Sequence, residues 1–148
     1  MGVWRAGHYS TLGAELSLEN LLPTGTNWIQ LVVVGIPSSI SSTTIDRASE
    51  RTNTDADLAH AIQMAHSRGL RVMLKPGVGL PDDSPNWHGQ IGTTFTSEEQ
   101  WRAWFQAYEE FIGHYAELAE RNGVEVFVVG QELVGTTHRK DDWLRIIR

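Results

Sequence analysis

Apolar residues along this chain fall into short runs rich in β-branched side chains, separated by longer segments with helical spacing. The runs are Trp28–Val34, Leu70–Lys75 and Val124–Val129, and a shorter apolar segment, Val3–Ser10, precedes them. Short runs of this kind are typical of β-strands that are covered on both faces. We therefore predict four strands in these segments.

The segments between the runs carry apolar residues three or four positions apart and begin and end with residues that favour helix caps. Ser97 and Gln100, for example, have capping-box spacing at the start of the third segment. The apolar stripe of that segment predicts the core face of an outer helix; it consists of Trp101, Trp104, Phe105, Tyr108, Phe111, Ile112, Tyr115 and Leu118. The four predicted helices span Leu12–Leu22, Thr54 or Asp55 to Gly69, Ser97–Asn122, and Asp141–Ile147.

Strict alternation of strand and helix predicts an α/β fold with a parallel sheet and right-handed crossovers. An open, doubly wound sheet and half of a (β/α)₈ barrel both fit this order. The 148 residues give 37 for each of four βα units, comparable with the roughly 250 residues over eight units of such barrels. The turn Gly35–Ser39 lacks the glycine pattern of a nucleotide-binding loop. We therefore predict one domain, residues 1–148, that forms half of a TIM barrel.

Composition excludes several functional classes. Twelve Lys and Arg against eighteen Asp and Glu give a net charge of −6, which argues against nucleic-acid binding. Absence of cysteine excludes disulfides and thiolate metal sites, and the histidines show no metal-binding spacing. We expect no metal and no cofactor. No apolar run approaches the roughly 20 residues of a membrane span, and the first residues lack the apolar stretch of a signal peptide. We expect a soluble protein without membrane association, and the sequence assigns no compartment.

Five segments of the chain are characteristic when taken together: Ser17–Leu21, Thr24–Trp28, Leu74–Pro76, Trp87–Ile91 and Val129–Leu133. In this order and spacing they resemble glycoside hydrolase family 113, the β-mannanase-like barrels of clan A. The resemblance implies a TIM barrel with its active site at the carboxyl ends of the strands, and Glu132 as the general acid/base. The family's nucleophile is a second carboxylate from the seventh strand, and four βα units do not reach that strand.

The chain departs from the family pattern after the third predicted strand. Where the family has Lys-Pro-His-Val-Asp, this sequence has Lys75 and Pro76 followed by Gly77, Val78 and Gly79. Lys75, Gly77 and Gly79 share strand parity and should line one side. We interpret this as a sugar site that has lost two polar side chains and gained space, through engineering or through relaxed selection.

Four further residues are candidates for ligand binding. Lys75 could form a Schiff base if desolvated, or an ion pair with Glu132. Trp87 could stack on a sugar ring, or anchor its loop against the barrel rim. His8 and Tyr9, at the end of the first predicted strand, could bind a ligand or serve structural partners.

Four strands alone leave two sheet edges open, and open edges invite pairing. We therefore expect a homodimer in which a second copy closes the barrel. Three hypotheses follow: an inactive half-barrel scaffold that self-associates, an active hydrolase of β-mannan or a related glycan with Glu132 as acid/base, and a non-catalytic carbohydrate-binding module.

Overall fold

The computed structural model describes residues 5–148 and confirms the four predicted helices. Four short 3-10 turns supplement them, at His8–Ser10, Leu22–Thr24, His88–Gln90 and Val134–Thr136. The helices and strands in chain order are α1 (Leu12–Leu21), β1 (Trp28–Gly35), α2 (Asp55–Ser67), β2 (Arg71–Val78), α3 (Glu98–Arg121), β3 (Val126–Phe127) and α4 (Lys140–Ile147). Within these residues, no helix combines the length and apolar character needed to cross a bilayer.

The described strands form one parallel sheet in the order β1-β2-β3. β1 and β2 pair along their whole length, from Trp28 opposite Arg71 to Gly35 opposite Val78. β3 is shorter than the predicted Val124–Val129. Hydrogen bonds from the Glu125 and Val128 amides to β2 nevertheless continue the pairing on either side of it.

The predicted first strand is wrong over residues 5–10, and Met1–Trp4 lie outside the described residues. Gly7 adopts a left-handed conformation with φ of 78°, and a 3-10 turn follows it. The Gly7 amide and the Ser10 hydroxyl then bind the carboxylate of Asp57 in α2, at 2.8 and 2.6 Å. These tertiary hydrogen bonds fold the segment back against α2, so residues 5–10 add no strand to the sheet.

Helices α1, α2 and α3 pack against the same face of the sheet. Leu31 and Val33 of β1 and Val72 and Leu74 of β2 belong to a single core cluster with residues of these helices. All eight residues of the predicted α3 stripe are buried. The opposite face of β1 contributes Gln30, Val32 and Val34 to an open cleft instead. Helices on one face only are the arrangement of a barrel wall, whereas a doubly wound sheet carries them on both.

Candidate active site

A solvent-open cleft of about 420 Å³ lies on the sheet face opposite the helices. Side chains from β1 and β2 form its floor, and the loops that follow the strands form its rim. Its lining combines aliphatic side chains with polar and charged ones; it consists of Gln30, Val32, Val34, Ile36, Arg51, Lys75, Val78, Gly79, Leu80, His88, Gln131 and Glu132. Carboxyl ends of parallel strands are where barrel enzymes hold their catalytic groups.

Glu132 is the only carboxylate among these lining residues. Its backbone has a φ of 52°, the only positive φ of a non-glycine residue in the described chain. The left-handed region costs an L-residue roughly 1–2 kcal/mol, and such strain concentrates at functional sites. Glu132 thus sits where the resemblance predicts the general acid/base, in a backbone conformation that favours a functional role.

The partner of Glu132 is His88 rather than Lys75. The Nε2 atom of His88 lies 2.9 Å from the Oε2 atom of Glu132, and the Glu132 side chain is 57% exposed. The expected ion pair between Lys75 and Glu132 is therefore wrong. Lys75 lies on the cleft floor, opposite Val32 in the sheet register, and within residues 5–148 its ammonium makes no hydrogen bond or ion pair. It is left available to a ligand.

Gln131 corrects the expectation of extra space at Gly77. A Cβ atom at Gly77 would collide with the amide nitrogen of Gln131, so that amide fills the volume that a side chain would take. Gly79 is likewise close-packed, since a Cβ there would come within 2.9 Å of Val34 Cγ1. The Gln131 amide therefore occupies the space at the end of β2 that the sequence predicted to be open.

Trp87 is not one of the residues that line the cleft described above. Trp87 is 49% exposed, and its ring packs against Gly89, where a Cβ atom would collide with it. Its centroid lies 5.6 Å from the ring of His88. Of the two alternatives, this geometry favours the loop anchor, and the residue held by the anchor is His88.

His8 and Tyr9 lie away from Glu132, in a second groove between α1, α2 and the edge of β1. His8 is exposed, and the Tyr9 hydroxyl donates to the Val32 carbonyl at 3.0 Å while accepting from the Val32 amide at 3.1 Å. Burial raises the pKa of Tyr9, and the bond to Val32 opposes that shift. Tyr9 therefore has the structural role that the sequence left open.

Sequence reasoning missed Gln30, Arg51, His88 and Gln131 as cleft residues. Gln30 carries a detectable signal, because it is the polar position in the apolar run of β1. Arg51 donates to the Leu80 carbonyl at 3.3 Å and forms an ion pair with Asp82 at 2.8 Å. These are loop contacts that no sequence pattern indicates.

Within residues 5–148, no three histidine or acidic side chains cluster closely enough to hold a metal ion.

Comparison with known proteins matches this geometry to one family. The model of Glycoside Hydrolase Family 113 matches residues 3–148. A solved structure described as a GH113 beta-1,4-mannanase superposes with a TM-score of 0.88 at 29% identity, covering 97% of this chain and 47% of its own. The GH113 beta-mannanase of Alicyclobacillus acidocaldarius in complex with ManMIm superposes with a TM-score of 0.87 at 31% identity, covering 98% and 47%.

The chain thus spans about half the length of these solved enzymes, which confirms the half-barrel prediction. A search of the curated proteins found no match. The match over nearly the whole sequence and the shared fold show that this chain belongs to glycoside hydrolase family 113.

Proposed function

We propose that this chain is the acid/base half of a β-1,4-mannan site: it binds the glycan in the cleft and has no hydrolytic activity by itself. The observation that carries the proposal is the strained Glu132, the single carboxylate in a cleft whose other polar side chains are amides and bases. The similar solved structures are described as beta-mannanases, which supports a β-mannan ligand.

Hydrolysis needs a second carboxyl group near the first. Retaining glycosidases hold the pair about 5 to 5.5 Å apart, and inverting ones about 6.5 to 9.5 Å. No other lining residue of the cleft can serve, because Lys75, Arg51 and His88 are basic and Gln30 and Gln131 are amides. In a complete barrel, Glu132 would protonate the glycosidic oxygen and later take a proton from water, and the second carboxylate would come from outside these 148 residues.

Calorimetric titration with manno-oligosaccharides tests the binding half of the proposal. We expect saturable heat that Lys75→Met weakens by about tenfold, as for the loss of one hydrogen bond from a charged group. Lys140→Met is the matched control, since Lys140 is exposed on α4 outside this cleft. Absence of saturable heat from the parent chain contradicts the proposal.

A hydrolysis assay tests the other half. The parent chain and Glu132→Gln should release reducing ends from the same oligosaccharides at equal, background rates. A rate above background that Glu132→Gln abolishes would show that a second carboxylate is within reach, and the chain would then be an active hydrolase.

We also propose that the chain self-associates through the face formed by β3 and α4. Apolar side chains are exposed along this face, including Val134 at 57% and Ile147 at 59%. The outer edge of β1 is less available, because the Val34 carbonyl accepts from the Thr52 hydroxyl at 2.8 Å and Ile36 pairs with Asp46. Together with the Tyr9 contact, these bonds restrict strand addition at β1 to the start of the strand.

Sedimentation tests this association. At micromolar concentration we expect a particle of twice the 16.5 kDa chain mass, and Leu144→Lys should shift it towards the monomer because a charge then enters the apolar face. Leu12→Lys is the matched control, since Leu12 is 70% exposed on α1, outside that face. A monomer for the parent chain contradicts the proposal.

A further inference from the structure

The turn His88–Gln90 is built by the residues of the Trp87–Gln90 motif themselves. The Gln90 side-chain oxygen accepts from the Trp87 amide at 3.0 Å, and the Gln90 amide donates to the Trp87 carbonyl at 2.9 Å. The Trp87 ring covers Gly89 and lies beside the His88 ring. The exposed Trp87 therefore stabilises the turn that carries His88 into the cleft lining.

This turn is locked against the loop that carries Glu132. A Cβ at Gly135 would collide with the Ile91 carbonyl oxygen and come within 3.2 Å of the Gly89 carbonyl oxygen, so the two backbones touch with no room for a side chain. Gly135 lies in the 3-10 turn Val134–Thr136, three residues after Glu132. The approach fixes His88 relative to the strained Glu132 backbone.

The other basic side chains of the cleft, Arg51 and Lys75, do not pair with the Glu132 carboxylate. Arg51 is engaged by the Leu80 carbonyl and by Asp82. Lys75 lies on the floor and, within residues 5–148, within 4 Å of no carboxylate oxygen. Since Glu132 is 57% exposed, packing alone does not select one side-chain rotamer for it.

We propose that the Trp87–Gln90 turn is a positioning element for Glu132, in which His88 donates from Nε2 to the carboxylate and holds the general acid/base in a single orientation. Acid/base catalysis requires the proton-transfer group to be held at the reacting oxygen. The inference rests on the proposed role of Glu132, but its geometry is testable without substrate. His88 and Trp87 act here through Glu132 and need not touch the sugar.

Nuclear magnetic resonance of the full chain provides the test. In the parent chain we expect three-bond couplings of Glu132 that report one rotamer, and an imidazole nitrogen shift of His88 that reports an N–H group at Nε2 engaged in a hydrogen bond. His88→Leu should lose the fixed rotamer, and His88→Gln, which retains an N–H donor, should recover part of it. Rotamer averaging of Glu132 in the parent chain, or no change in His88→Leu, overturns the proposal.

Trp87→Ala separates positioning from sugar stacking. A positioning turn predicts that this variant also loses the fixed Glu132 rotamer in the absence of sugar, whereas a stacking residue would leave the rotamer unchanged and weaken only binding. His60→Leu, on the exposed surface of α2, is the control and should change neither the Glu132 rotamer nor sugar binding. A fixed rotamer without manno-oligosaccharide binding would overturn the proposed glycan function and leave the positioning role intact, so the two failures are distinguishable.

Discussion

Asp57 and Glu132 are two carboxylates that this fold treats in opposite ways. Asp57 is 6% exposed and accepts hydrogen bonds from the Gly7 amide, the Ser10 hydroxyl, and the amide and hydroxyl of Thr54. Glu132 has a mostly exposed side chain, a single side-chain partner within residues 5–148, and a left-handed backbone. A carboxylate with several good donors stabilises the chain, whereas one left open at a cleft on strained backbone is available for chemistry.

Asp57→Ala should have the largest effect on stability. It removes four hydrogen bonds of a buried carboxylate and leaves the donors of Gly7, Ser10 and Thr54 without that partner, at a cost of about 3 kcal/mol. Urea unfolding measures this cost. Asp141→Ala, at an exposed position of α4, is the control and should cost less than about 0.5 kcal/mol. Equal urea midpoints for the two variants would show that the Asp57 hydrogen bonds do not stabilise the chain.

The hydrogen bonds of Asp57 should also make the stability of the chain sensitive to acid. Burial by itself would raise the pKa of Asp57, but hydrogen bonds from Ser10, Gly7 and Thr54 outweigh it and lower the pKa from 3.8 to about 2. A lowered folded-state pKa contributes stability that is complete above the unfolded value and is lost as pH falls through the folded value. We therefore expect a loss of about 2 kcal/mol between roughly pH 4 and pH 2, where the unfolded chain binds the proton more tightly than the folded one.

Urea unfolding at several pH values across this window measures the loss. Asp57→Asn cannot titrate, and its stability should fall less steeply over the same range. Parallel slopes for the parent chain and Asp57→Asn would assign the acid sensitivity to other groups.

Tyr9→Phe should cost about 1 to 2 kcal/mol, because the amide and carbonyl of Val32 both lose their partner at a strand edge. The Val32 amide should also exchange with solvent faster. The buried amide of Val33 serves as the comparison within the same strand and should keep its rate. Unchanged exchange at Val32 would show that the hydroxyl does not protect this edge.

Residues with local signals could be predicted, and residues that depend on distant loops could not. The α3 stripe and the Ser97 and Thr54 caps are periodic or local patterns, and all three were confirmed. The resemblance located Glu132 at a strand end but not its His88 contact, which joins positions 44 residues apart. The Gln131 amide above Gly77 was missed for the same reason, because loop conformation, rather than spacing, decides which side chain fills a gap.

The smallest expected effect again compares Glu132 with Asp57. The alanine variant should be the less stable of the two substitutions at Glu132, and the glycine variant should be the less stable at Asp57. At Glu132, both substitutions remove the carboxylate, but only glycine adopts a φ of 52° without strain, so Glu132→Gly should be more stable than Glu132→Ala by about 1 kcal/mol. At Asp57, in the first turn of α2, glycine costs up to about 1 kcal/mol more than alanine because it orders a freer backbone. Urea unfolding of the four variants measures both differences, and the shared loss of the carboxylate cancels within each pair. A Glu132→Ala variant as stable as Glu132→Gly would mean that the backbone there stores no strain, and the difference between the two sites would then lie in their hydrogen bonds alone.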